Sequence, residues 1–183
     1  MKYKTIVATP AHEEPISMNE AYRQLRVEPC VDDEHIAALI SISRDKAERF
    51  CNRYFSEQVV KIVYDGGFSG SSIDLPYPDL ISVDSITYVD SSNAQIEIDA
   101  SEYVVLLDNQ VIYANDSFPS DAKGYTVTVT TGAPTEFGGA KVGMMMMLTD
   151  LYELRSESVV GFSVNQNPAV MASLWPYRVN LGV

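Results

Sequence analysis

The sequence predicts an α+β fold in which an N-terminal helix pair and a C-terminal helix form a helical body, with an antiparallel β-rich insert between them. Apolar residues recur at helical spacing up to residue 55 and then alternate with a period of two, before a methionine-rich helical stretch. We therefore divide the chain into an N-terminal arm (1–15), a helical body in two parts (16–55 and 134–155), a β-rich insert (56–133) and a C-terminal tail (156–183).

The first part of the helical body begins at a capping box. Ser17 and Glu20 have the spacing at which hydroxyl and carboxylate satisfy each other's backbone amides, and a short helix is expected to run to about Arg26. After Pro29, the acids at 32–34 are expected to cap the next helix. Its apolar face comprises Ile36, Leu39, Ile40, Ser43, Ala47, Phe50, Cys51 and Tyr54.

The arm and the insert have different patterns. Residues before Pro15 show no period, so we expect them to order only against a neighbour. In the insert, short β-branched and aromatic runs separated by turn residues predict an antiparallel sheet or a small barrel. Asp108-Asn109-Gln110 predicts a hairpin turn. The predicted strands are 59–64, 85–89, 95–98, 103–107, 111–113 and 125–131.

The second part of the helical body contains four consecutive methionines that cover every side of a helix opening near Thr135. Methionine is a flexible gap-filler at helix contacts, and one that faces away from its own core can adapt to a neighbouring subunit. We therefore expect subunit contact through Met144, Met145, Met146 and Met147. Three glycines each cost up to about 1 kcal/mol of helix propensity, so this helix is expected to start late or fray: Gly138, Gly139 and Gly143.

Composition bounds the class of protein. A chain of 183 residues fits one elaborated domain or two small domains. No stretch approaches the roughly 18 apolar residues of a membrane helix, and the apolar run near the N-terminus is too short for a signal peptide. The formal net charge of −12 opposes a role in gripping phosphates. An acidic surface either increases solubility or lines a channel through which DNA passes without binding.

The sequence offers no catalytic or cofactor site. His12 lies in the arm and His35 beside a helix start, with no nucleophile elbow and no Gly-rich phosphate loop elsewhere. Cys30 and Cys51 are far apart and lack partners at metal-ligand spacing, and a buried thiol at Cys51 fits its helix better than a disulfide. We therefore expect a protein that is not an enzyme and has no cofactor or metal. Its many carboxylates include candidates for acid–base catalysis, but nothing in the sequence supports that role.

Strand tyrosines leave a second interpretation open. They could form a platform that stacks on sugars or bases, although tyrosine is also common in half-buried strands. The residues concerned are Tyr64, Tyr88, Tyr103, Tyr113 and Tyr125.

Taken in order, these segments resemble the head–tail connector, or adaptor, family of tailed bacteriophages, in the branch once described only as possible DNA-packaging proteins. The likeness lies in pattern and order over most of the chain, since each piece alone is common. The segments that show this resemblance are 15–21 with 25–27, 32–33 with 36–40 and 47–53, 75–78 before 82–88, 127–132, 151–155, and Leu174-Trp175-Pro176-Tyr177-Arg178.

The resemblance implies a ring of about twelve copies beneath the portal protein, with a tail or stopper protein on its other face. DNA would pass through the channel without specific binding, no membrane would be involved, and the protein would sit at the head–tail interface of the virion after assembly in the host cytoplasm. We expect the helices to form the ring body and the β insert to face the tail-side partner or the outside. The alternatives are a nucleic-acid-binding packaging component and a carbohydrate-binding or hydrolytic tail protein.

We expect the tail to dock on the portal through Leu174, Trp175, Pro176, Tyr177 and Arg178. Trp175 and Tyr177 are large apolar anchors with a polar handle, Pro176 lowers the entropy of ordering, and Arg178 can pair with a carboxylate. The alternative is that Trp175 covers the core of its own domain.

Overall fold

The computed structural model describes residues 2–68, 70–132, 134–153 and 167–179. The chain divides into two compact units, a β unit (residues 1–12 and 56–133) and a helical unit (13–55 and 134–183). The α+β prediction is confirmed, with antiparallel sheets in one unit and helices in the other. Most of the predicted tail, at 156–166 and 180–183, lies outside the described residues.

The described part of the β unit contains two antiparallel sheets. The larger has the strand order β1-β2-β8-β4-β5 and the smaller β3-β7-β6. Strands β2 and β8 alternate between buried and less buried residues, as expected where one face of a sheet covers a core. The strands are β1 (Tyr3–Thr9), β2 (Gln58–Asp65), β3 (Ser72–Asp74), β4 (Leu80–Val89), β5 (Gln95–Glu97), β6 (Tyr103–Leu106), β7 (Val111–Ala114) and β8 (Gly124–Thr131).

Each predicted strand is present, but β1 and β3 were not predicted. The expectation that residues 1–15 order only against a neighbour needs correction, because β1 pairs with β2 from Tyr3 opposite Tyr64 to Thr9 opposite Val59. Six of the seven residues of β1 are exposed, so this edge strand needs no alternating pattern. Strand β3 buries only Ile73, which is too little to give a period.

An aromatic cluster fills part of the β unit core. The rings of Tyr64 and Tyr125 lie 5.2 and 4.9 Å from that of Phe68, and Phe118 lies 6.0 Å from Tyr125. Burial raises the pKa of Tyr125 to about 12, and its hydroxyl donates to the Pro119 carbonyl at 2.8 Å. Two of the five tyrosines considered for a stacking platform, Tyr64 and Tyr125, are therefore core residues, and the five do not share one exposed surface.

Four α-helices and a 3₁₀ turn form the described part of the helical unit. The capping box is confirmed, since the Ser17 amide donates to the Glu20 carboxylate at 2.9 Å. Asp32 is the N-cap of the second helix but makes no side-chain cap bond there; its carboxylate accepts from the Tyr152 hydroxyl at 2.8 Å. The helices are α1 (Met18–Leu25), α2 (Asp33–Cys51), α3 (Gly138–Glu153) and α4 (Pro168–Leu174), and the 3₁₀ turn is Trp175–Tyr177.

Helix α3 contacts α1, α2 and α4, so its apolar side chains, the methionines among them, are needed on more than one side. It starts at Gly138, three residues after Thr135, in agreement with the expected late start. The core of the helical unit includes Ile36, Leu39, Ile40, Ala47, Phe55, Ala140, Met144, Leu148 and Leu174.

A partly buried charge network ties the chain after α2 to the helix itself. Arg44 lies 2.7 Å from Glu14 and 3.0 Å from Glu48, and the Glu48 carboxylate also accepts from the Phe55 N–H at 2.9 Å. Burial lowers the pKa of Arg44, but the two carboxylates raise it by more, so that this pKa lies above its ordinary value. Each charge of the Arg44–Glu48 pair thus has an oppositely charged or hydrogen-bonding partner, which an ion removed from water requires.

Candidate partner-docking site

The C-terminal segment from Asn167 to Val179 starts as a capped helix. The Asn167 side chain accepts from the Ala169 N–H at 3.1 Å, and its amide donates to the Asp150 carboxylate of α3 at 3.1 Å. Pro168 takes the first helical position, where its missing N–H costs no hydrogen bond. This cap fixes both the start of α4 and its attachment to α3.

Leu174 and Tyr177 fit against two glycines of α3. Leu174 is 1% exposed, and a Cβ on Gly143 would lie 3.1 Å from its Cγ. The Tyr177 hydroxyl accepts from the Gly139 N–H at 3.1 Å, and a Cβ on Gly139 would lie 3.0 Å from the same oxygen. The first amides of a helix have no partner inside it, so Tyr177 caps α3 from outside. The glycines that weaken helix propensity provide the space in which the segment packs.

The end of α2 holds the same segment. The Val179 N–H donates to the Cys51 carbonyl at 2.7 Å, which satisfies a carbonyl of the last helical turn. The Asn52 amide donates to the Val179 carbonyl at 3.1 Å, and the Cys51 thiol donates to the Leu174 carbonyl at 3.5 Å. Burial raises the pKa of Cys51 to about 11 against the opposing charges of nearby arginines. The thiol therefore stays protonated at neutral pH and remains a donor.

Phe50, Trp175 and Arg178 form an exposed aromatic–arginine patch on this frame. Trp175 is 62% exposed, and its ring lies 6.2 Å from that of Phe50. The Arg178 guanidinium lies 5.3 Å from the Phe50 ring and 5.4 Å from the Trp175 ring, within cation–π range. Arg178 forms no ion pair with any residue that the structure describes. The patch therefore presents an ordered cation beside uncovered aromatic surface, the residue types that dominate protein interfaces.

The solved structures that match the chain over nearly its whole length include three of one kind of particle. Chains from the neck of an empty gene transfer agent (GTA) particle computed with C6 symmetry and from the virion of a native GTA particle give TM-scores of 0.71 and 0.73 at 16% and 15% identity. These matches cover 100% and 98% of this chain, and 98% and 97% of the others. The neck of a native GTA particle computed with C12 symmetry gives 0.66 at 17% identity, covering 100% and 98%.

This chain has the fold of a chain in GTA necks. No protein-family model and no curated protein matches it.

The five residues predicted to dock divide into two groups. Leu174 is buried and Tyr177 is half-buried against α3, so both hold the segment in place, whereas Trp175, Pro176 and Arg178 are exposed. The exposure of Trp175 disfavours the alternative that it covers its own core. Whether these residues bind a portal stays a prediction.

The four methionines also differ in position. Met144 is completely buried in the helical core, while Met145, Met146 and Met147 are partly buried against it. The core thus uses Met144 without a neighbouring subunit. A subunit contact through the other three stays a prediction, and Val142 on the same helix is 46% exposed.

Phe50 and the glycines of α3 were missed as site residues by the sequence analysis. Phe50 was placed on the apolar face of its helix, yet it is only partly buried and lies beside Trp175. The glycine spacing in an otherwise strong helix was the available signal, because a glycine inside a helix often marks close packing. Within the described ranges, no group of acidic, histidine and cysteine residues suits a metal ion, and no helix is long and apolar enough to cross a membrane.

Proposed function

We propose that this chain is a structural, non-enzymatic head–tail connector subunit in the neck of a tailed phage or phage-like particle. The observation that carries the proposal is the match to GTA neck chains, which includes nearly all of both chains. A match of that extent concerns the whole order of helices and strands rather than a common helix pair. The subunit would work in the virion at the head–tail interface and be made in the host cytoplasm.

The proposed assembly is a closed ring of about twelve copies. The C6 and C12 symmetry of the neighbouring neck structures supports a ring, and twelve copies are compatible with both symmetries. In such a ring, one face of each subunit meets a different face of the next. Helix α3 offers Val142 and the partly buried Met145, Met146 and Met147 for this contact.

We assign portal docking to the aromatic–arginine patch together with Pro176. Leu174, Tyr177 and Val179 fix its backbone in the free chain, so little conformational entropy remains to be lost on binding. Trp175 supplies apolar area, and Arg178, which forms no ion pair within the described part of the chain, would meet a carboxylate of the portal. A stopper or tail protein would bind another face of the ring.

Charge supports DNA passage without specific binding. The whole chain has a formal net charge of −12, and DNA binding requires cations that neutralise phosphates. The alternative of a nucleic-acid-binding packaging component is therefore less well supported. The alternative of a carbohydrate-binding or hydrolytic tail protein loses its tyrosine platform, since Tyr64 and Tyr125 are buried.

The test is binding of the full chain to capsids that carry the cognate portal, measured by co-sedimentation. Trp175→Ala with Arg178→Ala is expected to weaken binding by about tenfold or more, as loss of central aromatic and arginine contacts does. Val31→Ala, at an equally exposed position (64%), is the matched control and should bind like the wild type. Equal binding by the double variant would remove the patch from docking. Point variants are preferable to truncation, because truncation would also remove Leu174 and Tyr177.

A further inference from the structure

The smaller sheet has an apolar outward face. Val104 lies directly opposite Tyr113, and Leu106 opposite Val111. Val104, Leu106 and Tyr113 are 52%, 41% and 43% exposed, whereas Ile73 and Ile112, which point to the other side, are completely buried. A solvated sheet face normally carries polar side chains. Here only Ser72 and Asp74 on the edge strand β3 do so.

The segment that contains this face is acidic. Between Lys61 and Lys123 the sequence contains eleven acidic residues and no Lys, Arg or His. Three of the acids adjoin the face and are exposed: Asp74 pairs with Val111, Glu102 precedes β6, and Asp108 lies in the turn between β6 and β7. No cation of the segment compensates these carboxylates.

We propose that the outward face of the β3-β7-β6 sheet docks a protein surface that has an apolar centre and a rim of Lys or Arg. An apolar centre would cover Val104, Leu106 and Tyr113, and the cations would meet Asp74, Glu102 and Asp108. Opposite charges steer such partners together and exclude partners of like charge. This proposal concerns a different surface from the aromatic–arginine patch and does not require that patch to bind a portal.

Charge also decides against two other occupants. The same face of a second copy would bring three carboxylates onto three carboxylates, which is repulsive. Nucleic acid would add phosphates to an already anionic surface. A cationic protein surface is the occupant that both the apolar centre and the acidic rim favour.

The experiment uses the full chain and a fluorescent, end-blocked peptide of alternating leucine and lysine. Binding is followed by anisotropy, and the contact is located by NMR shifts of residues 103–114. We expect the peptide to bind there, and the same peptide with glutamate in place of lysine not to bind.

Two double variants separate the apolar contribution from bulk charge. Val104→Thr with Leu106→Thr keeps strand propensity and should weaken binding about tenfold, since two apolar contacts are lost. Ile6→Thr with Val7→Thr changes two strand residues of similar exposure (45% and 46%) in the same unit and should leave binding unchanged. Glu102→Gln with Asp108→Asn should weaken binding and reduce its dependence on salt.

The proposal is overturned if the wild type does not bind the lysine peptide at millimolar concentration, or if the glutamate peptide binds equally. It is also overturned if the Val104/Leu106 variant binds like the wild type, because bulk charge would then suffice. If the wild type self-associates with increasing concentration and this variant does not, the face binds a second copy of the chain, and the proposal is again overturned. If the double variant fails to melt cooperatively, Val104→Thr alone replaces it, with Val7→Thr as its control.

Discussion

The hydroxyl of Tyr177 accepts a hydrogen bond from the backbone N–H of Gly139 at 3.1 Å, which joins the C-terminal segment to the first turn of α3. This contact, the burial of Leu174 beside Gly143 and the bond from Val179 to Cys51 hold the segment at three points. Trp175 and Arg178 consequently project from an ordered backbone.

Tyr177→Phe should loosen the segment without unfolding the protein. The Gly139 N–H would lose its partner, at a cost of about 1 kcal/mol. Cys51, which the segment covers, reports the opening: in a Cys30→Ser background, the alkylation rate of Cys51 should rise about fivefold because that free energy shifts the local opening equilibrium. Tyr113→Phe, at an exposed tyrosine of the β unit, is the control. An unchanged Cys51 rate in Tyr177→Phe would show that the bond does not hold the segment.

Gly143→Ala should destabilise the protein although alanine is the better helix former. The gain in helix propensity is at most about 1 kcal/mol, whereas overpacking costs about 1–3 kcal/mol, and the new Cβ would lie 3.1 Å from the buried Leu174. Gly138→Ala is the matched control, since its Cβ would meet no atom within 4 Å. Urea unfolding measures both.

The contact between Gly143 and Leu174 also allows a double-mutant test of coupling. Leu174→Ala should destabilise by about 2–5 kcal/mol, and adding Gly143→Ala to it should cost less than in the wild type, because the contact is gone. Strict additivity of the two changes would contradict the packing argument.

Glu20 makes stability depend on acid pH. Its pKa is lowered from 4.5 to about 2, first by Lys141, whose Nζ lies 2.6 Å from the carboxylate, and then by the Ser17 amide. Because the pKa is lower in the folded chain, this stabilisation is complete above about pH 4.5 and is lost as the pH falls toward 2.

Glu20→Gln should therefore be less stable than the wild type at pH 7, by about 0.2–1 kcal/mol as for exposed ion pairs. The difference in melting temperature should shrink between pH 4.5 and 2, since a protonated glutamate resembles glutamine. A difference that stays constant over this range would mean that the ionised carboxylate contributes nothing specific.

Met145→Lys or Met146→Lys should weaken ring assembly while the subunit still folds, because both side chains are only partly buried. Met144→Lys should instead unfold the helical unit, since it would bury an unpaired ammonium. Thermal melts and electron microscopy on the portal template separate the two effects. Normal rings from both partly buried variants would exclude these methionines from the subunit contact.

The sequence was sufficient where local chemistry decides the structure. The capping box of Ser17 and Glu20 and the alternation of β8 follow from local pattern, and the structure has both. The face of α2 is buried as expected except at Phe50, which is partly buried, and at Tyr54, which lies beyond the end of the helix. Strand β1 could not be predicted in this way, because an edge strand exposed on both faces requires no periodicity.

The C-terminal segment that we propose to dock could be predicted only in part. Its five residues were identified together, but which of them anchor and which are exposed depends on the long-range contacts of Tyr177 with Gly139 and of Leu174 with Gly143. The role of Phe50 likewise depends on Trp175, 125 positions later in the chain. Such contacts leave no periodic signal in a single sequence.

Cryo-electron microscopy of the full chain mixed with its cognate portal tests the central proposal most directly. The account predicts a ring of about twelve subunits stacked on the portal, with Trp175 and Arg178 of each subunit at the portal contact and an open channel on the axis. A chain that remains monomeric beside the portal, or that binds it without forming a ring, would contradict the account.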